Sequence, residues 1–113
     1  MITADLATLE ARTYPAGRRT VPLAGGRAPL PAQNFCLGHV TLAPRGGQVP
    51  WHNQDQEEVY FIIAGRGEMC VDNERRTVTA GQAVYIPPRA FHQITNLGSE
   101  PLQMLYCYAP AGE

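Results

Sequence analysis

Four residues of this chain, His52, Gln54, Glu58 and His92, combine types that can hold a metal ion with a spacing that could bring them together. Two imidazoles and a carboxylate around open coordination positions make the donor set that suits non-haem iron and related divalent ions. In an extended segment residues i and i+2 face the same way, so His52 and Gln54 of Trp51-His52-Asn53-Gln54 project together. Glu58 heads the run Val59-Tyr60-Phe61-Ile62-Ile63, and a carboxylate leading so apolar a strand is costly to bury unless it is paired or bound to a metal. Parity puts Glu58, Tyr60 and Ile62 on one face and makes Glu57 the solvated carboxylate. His92 supplies the second imidazole only if the fold carries it across to the others, which spacing within one strand does not decide.

Placing these donors falls to strands. Eleven Gly and ten Pro interrupt the chain so often that no interior segment sustains a helical period. Strands are expected at 34–42, 48–52, 58–64, 67–71, 74–78, 83–86, 92–96 and 102–108. Turns fall at Pro44-Arg45-Gly46-Gly47, Ala64-Gly65-Arg66-Gly67, Asp72-Asn73, Ala80-Gly81, Pro87-Pro88 and Leu97-Gly98-Ser99. Short strands at such regular spacing suggest a closed barrel or a double-sheet jelly roll. The nearly unbroken apolar run after Glu58 suggests burial on both faces. A short helix through Leu6, Leu9 and Ala11 is expected, capped by Thr3 and ending before Pro15. A Gly/Pro-rich arm follows at 16–33, with Arg18-Arg19-Thr20-Val21-Pro22-Leu23 as its strand-like piece, suited to a sheet edge of this molecule or of a partner subunit. The division expected is therefore an N-terminal arm at 1–33, open to a dimer swap, and a barrel at 34–110.

A length of 113 residues leaves room for one domain, and 44% apolar with 17% charged residues is ordinary globular composition. A formal net charge of -1 gives no field to attract phosphate backbones or anionic lipid, so neither nucleic acid nor membrane is expected as a partner. The start of the chain lacks a basic stretch followed by an apolar one, and no apolar run approaches the roughly 20 residues that span a bilayer; a cytoplasmic location is the expectation. Cys36, Cys70 and Cys107 lack CxxC spacing and are read as small buried hydrophobes.

The segment Gly46-x5-His52-x-Gln54-x3-Glu58-x6-Gly65 resembles the first motif of the cupin superfamily, and Gly81-x5-Pro87-x-Arg89-x2-His92-x3-Asn96 resembles the second. The resemblance to single-domain cupins extends over residues 34–108 and implies an all-β fold, the cupin-type double-stranded β-helix or jelly-roll barrel. In that family the His-x-His pair, the Glu and the second-motif His are metal ligands, so the resemblance marks His52, Glu58 and His92 directly. Gln54 stands where the family has its second His, and as a fourth ligand its amide oxygen would leave the ion a harder shell. Arg89 replaces the family's Gly between the Pro and the His. The ion implied is a single divalent metal, Fe²⁺ or Mn²⁺ first, with Zn²⁺, Ni²⁺ and Co²⁺ compatible.

Cupin barrels host dioxygenases, decarboxylases, isomerases, lyases, cyclases and plain binding proteins, so the fold does not choose the reaction. The expectation is a metal-dependent enzyme that chelates a small oxygen-bearing substrate in a cavity lined by Tyr60, Ile62, Phe91 and Met104, leaning to O₂-dependent, dioxygenase-type chemistry. Tyr60 is the candidate proton-transfer residue. A lyase, isomerase or cyclase using the ion as a Lewis acid is the alternative within that class, and a non-catalytic binding or sensor module is the alternative outside it. A homodimer is expected because Val59, Phe61 and Ile63 would be bare on a lone barrel. His39 lies on an alternating strand whose inward face the sequence leaves open, and Arg66, Arg75 and Arg76 sit at turns as solvated charges.

Overall fold

Alternating side chains and frequent turns give an antiparallel architecture in the computed structural model, which describes residues 1–112. The strands are β1 (Arg12–Tyr14), β2 (Arg18–Ala24), β3 (Cys36–Leu42), β4 (Gln48–His52), β5 (Glu57–Ala64), β6 (Arg66–Val71), β7 (Glu74–Thr79), β8 (Ala83–Ile86), β9 (His92–Asn96) and β10 (Leu102–Ala109). One sheet runs β1-β2-β3-β10-β5-β8 and the other β4-β9-β6-β7. Between them lies a core whose fully buried members include Leu42, Ile62, Ile86, Ile94, Leu102 and Met104. Each such side chain contributes about 1.5–3 kcal/mol of burial.

Three expectations are corrected here. The N-terminal helix reduces to a single 3₁₀ turn at Leu6–Thr8, capped by Asp5 and not Thr3, with the Ala7 N–H donating to Asp5 Oδ1 at 2.9 Å. None of its residues is buried, and a helix this short persists only when packing supports it, so the chain turns extended at Arg12 instead. β1 itself was not foreseen: its three residues are all exposed and too few to show an alternation, and it forms by pairing with β2. The apolar run of β5 is buried on one face only, because this sheet packs a single side on the core: Glu58, Tyr60 and Ile62 are buried while Val59, Phe61 and Ile63 are exposed. The arm strand β2 pairs with β3 of its own chain, Thr20 opposite Val40 and Pro22 opposite Gly38.

The two sequence motifs are fastened to each other at both ends. Gly46 N–H donates to Asn96 O at 2.9 Å and Asn96 N–H to Gly47 O at 2.8 Å. The buried Asn96 amide also donates to Leu42 O and Glu100 O, at 3.1 and 2.8 Å. At the other end Arg89 N–H donates to Gln54 O at 2.7 Å, and Asn53 Nδ2 to Arg89 O at 3.2 Å. Arg89 takes up this position with φ 64, a left-handed conformation that costs an L residue about 1–2 kcal/mol and that accounts for Gly at this place in the motif. Cys36 and Cys70 are buried, Cys107 half-buried, and all are free thiols. Among the described residues no helix is long and apolar enough to cross a membrane.

Candidate functional site

His52 closes β4 directly opposite His92, which opens β9, so sheet register alone brings the two imidazoles together, with ring centroids 4.2 Å apart. Glu58 reaches them from the other sheet: its Oε1 stands 3.2 Å from His92 Nε2, with both side chains almost wholly buried. Each imidazole Nδ1 lies against a backbone carbonyl two residues earlier, His52 on Pro50 O at 2.8 Å and His92 on Ala90 O at 2.9 Å. A nitrogen facing a carbonyl must carry the proton, so in the neutral ring Nε2 presents a lone pair. Carbonyls acting through the far nitrogen in this way orient histidines that serve as metal ligands.

Gln54 Nε2 is buried without a hydrogen-bond partner, and Glu58 Oε1 and His92 Nε2 are buried with no polar partner except each other. A buried polar atom left unmatched costs about 1–3 kcal/mol, so an orphaned amide beside a carboxylate and imidazole that have only each other calls for a ligand. Turning the Gln54 amide by half a rotation exchanges its nitrogen for its oxygen, giving a donor atom of the kind a cation accepts. Two imidazole nitrogens, a carboxylate and an amide oxygen fit a divalent ion in their chemistry. Their placement is that of a contact pair with a third ring beside it; among the described residues no group of three or more His, Cys, Asp or Glu forms a ready cage. An ion would have to exchange the Glu58–His92 contact for bonds to itself. Burial opposes charge on both histidines and is the largest single influence on each; His52 is accordingly shifted below the ordinary imidazole value, whereas at His92 the Glu58 carboxylate, the Ala90 carbonyl and Asp72 together outweigh burial and shift it above.

The cluster opens into a cavity of about 330 Å³ lined by His52, Gln54, Glu58, Tyr60, Met104 and Tyr106. Two of the expected wall residues are not there. Ile62 lies wholly within the core, and Phe91 is exposed and stacks on Trp51, centroids 5.8 Å apart, because its parity is opposite to that of His92. Tyr60 is where parity put it, its ring edge-on to His92 at 5.9 Å. Burial first, and the Glu58 charge second, push its hydroxyl well above the usual tyrosine range, so it keeps its proton. Glu57 is exposed, accepting from Tyr85 Oη at 2.8 Å. His39 is buried away from the cluster, Nε2 at 3.1 Å from Gln103 Oε1. A larger cavity, about 810 Å³, lies between β7 and β8 and is lined by none of the four donors.

Sequence reasoning missed the other wall: Arg12, Tyr14 and Arg18 from the arm, Tyr106 and Tyr108 from β10. Parity held the signal for the last two, since Met104, Tyr106 and Tyr108 alternate along one face. Gly38 makes room for Tyr106: a Cβ at that position would collide with the tyrosine ring.

A family model described as "Cupin domain" matches residues 38–108. An uncharacterized protein of Methanocaldococcus jannaschii, MJ1618, is 41% identical over 70 residues, covering 61% of this chain and 56% of that protein. The chain spans about half the length of the first two curated relatives it matches. Among solved structures, a Cupin 2 conserved barrel domain protein from Salinispora arenicola superposes with a TM-score of 0.73 at 28% identity, covering 96% of this chain and 87% of that one. The polyketide cyclase RemF from Streptomyces resistomycificus has the same fold, with a TM-score of 0.82 at 17% identity over 96% of this chain and 79% of its own.

Proposed function

The chain belongs to the cupin domain family, and we propose that it is a metal-dependent enzyme acting on a small oxygen-bearing molecule by redox-neutral proton transfer, of the lyase, isomerase or cyclase kind. The observation that carries this reading is the buried contact of Glu58 Oε1 and His92 Nε2, which have no polar partner except each other, beside a second imidazole held in the same tautomer. His52, Glu58 and His92 would hold the ion, with Gln54 as fourth donor. When bound, the ion supplies Lewis acidity at a substrate oxygen. Tyr60, kept protonated by its burial, donates a proton or hydrogen bond from its hydroxyl and is unsuited to rest as a phenolate base. The apolar walls Val40, Val49 and Met104 limit water around the substrate.

A second reading, oxygen-dependent chemistry, is favoured by the composition of the donor set, two imidazoles and one carboxylate. The buried proton-holding hydroxyl of Tyr60 favours the first. Elemental analysis of protein purified without added metal is expected to find a divalent ion, and chelation to lower the melting temperature, because distant strands supply the ligands. Thorough chelation that left metal content and melting temperature unchanged would sink the metal assignment. Oxygen uptake during turnover, followed with an electrode, is expected to stay at background; stoichiometric uptake would establish the second reading instead.

A further inference from the structure

We propose that the mouth of the cavity is an anion subsite, in which Arg18, supported by Arg12, takes the carboxylate of a small organic acid whose other oxygens reach towards His52 and Glu58. Placement comes from register. Arg18, Thr20 and Pro22 alternate along β2, with Tyr14 opposite Arg18 and Arg12 opposite Thr20 on β1, and all five residues line the cavity.

Among the described residues Arg18 has no anion of its own. Its guanidinium carbon lies 3.8 Å from the centroid of the Tyr14 ring, and its Nε is buried with no hydrogen-bond partner. Among the described residues the carboxylates in ion pairs are Glu68, with Arg75, and Glu58, with His92; none pairs with Arg18. Stacking uses the face of the guanidinium and fixes its plane, leaving the in-plane donors for a bidentate acceptor such as a carboxylate. A purely structural Arg18, holding β1 on β2, would need only the face and would not strand a buried N–H.

The charge balance points the same way. Among the described residues two guanidinium groups line the cavity against one carboxylate, Glu58, which already faces His92. The field of Arg18 is felt at His52 and Tyr60, and that of Arg12 at Tyr106. Tyr106, held over Gly38 with its hydroxyl pushed up to about 12 by burial, stays protonated and adds a neutral donor beside the guanidinium groups. A volume of about 330 Å³ suits a small acid and not a polymer.

Only the far end of this ligand rests on the metal reading above; the anion subsite itself does not, so the test begins with chelated protein. Lactate and mandelate are titrated against their uncharged isosteres lactamide and mandelamide, followed by ¹H–¹⁵N NMR including the Arg18 Nε–H resonance. At least one acid is expected to bind about tenfold or more tightly than its amide and to shift that resonance, with the preference shrinking as salt is added. Arg18→Gln should abolish the preference and Arg18→Lys should restore part of it. Equal binding of acid and amide, an unmoved Nε–H resonance with both acids, or an unchanged preference in Arg18→Gln would overturn the proposal. Should Arg18→Gln fail to fold, the acid-against-amide comparison on the unaltered protein still decides. A charge preference in a protein that never takes up metal leaves the subsite standing and removes the catalytic reading; metal uptake without charge preference does the reverse.

Discussion

The two faces of β5 differ in a way that a folding argument alone does not explain. Inward, the strand buries Glu58 and Tyr60 at 5% and 3% exposure; outward, it leaves Val59, Phe61 and Ile63 at 38%, 42% and 42%. A sequence selected for monomer stability alone would reverse the pairing of polarity and burial, since a buried carboxylate is costly and exposed apolar area forfeits about 25 cal/mol per Å². We propose a ligand to account for the inner polar residues and a partner surface for the outer apolar ones. Each account can be broken separately.

The inner face should give the largest effect. Among the described residues Glu58 is the only carboxylate in the cluster, so Glu58→Ala is expected to lower metal affinity about 100-fold or more, while Gln54→Ala weakens it only modestly because both imidazoles and the carboxylate remain. Metal occupancy after dialysis ranks the two; a Gln54→Ala protein that lost its ion more completely than Glu58→Ala would overturn the assignment. Next in size is Gly38→Ala, whose new methyl meets the Tyr106 ring. Overpacking of this kind costs about 1–3 kcal/mol, read as a fall in melting temperature. Pairing it with Tyr106→Ala should recover most of that loss. If the double variant were no more stable than the sum of the singles predicts, the collision would not be the cause.

How much of this was legible in advance follows the same division. Strand-by-strand parity settled the inner face of β5, and β4, β8 and β9 have the expected bounds, because alternation with a period of two is a local signal. The resemblance to the two cupin motifs implied that His52 and His92 would meet; the register that joins them is a long-range pairing that no single segment contains. The arm was harder. Arg18 lines the cavity only because β2 pairs with β3, and β1 exists only because β2 is there to pair with it. Burial on both faces of β5 was misjudged for a related reason: an apolar run looks alike whether core or partner covers its second side.

For the outer face we propose a second copy of this chain as the cover, packed symmetrically over Val59, Phe61, Ile63 and the neighbouring Tyr85, which is 55% exposed. The double variant Phe61→Ser/Ile63→Ser should shift the association constant by about tenfold or more while leaving metal content unchanged. Light scattering on the unaltered protein showing a monomer mass at micromolar concentration would remove the idea, and so would a double variant as dimeric as its parent.

The smallest effect lies at His39, which shares the outer row with Val21, Leu105 and Phe61 yet is 6% exposed. Neither flanking residue is charged, and its one polar partner is Gln103. Burial shifts its pKa below the ordinary imidazole value of 6.5, and the Gln103 bond offsets only part of that. The folded chain therefore binds this proton less readily than the unfolded chain. Its contribution is fully present above pH 6.5 and is lost as pH falls through that value toward the lower folded one. Melting temperature measured from pH 7.5 down to 5.5, on chelated protein, should fall more steeply than in His39→Gln, which keeps a side chain able to meet Gln103 but carries no titrating group. His52 and His92 titrate in both proteins and cancel from the difference. Identical slopes would mean that His39 is not held neutral by burial. The same measurement sharpens the comparison of faces: a second copy lying over this row would desolvate His39 further. The His39-dependent slope should then be steeper in the parent than in Phe61→Ser/Ile63→Ser, and equal slopes would confine any partner to the β5–β8 end of the sheet.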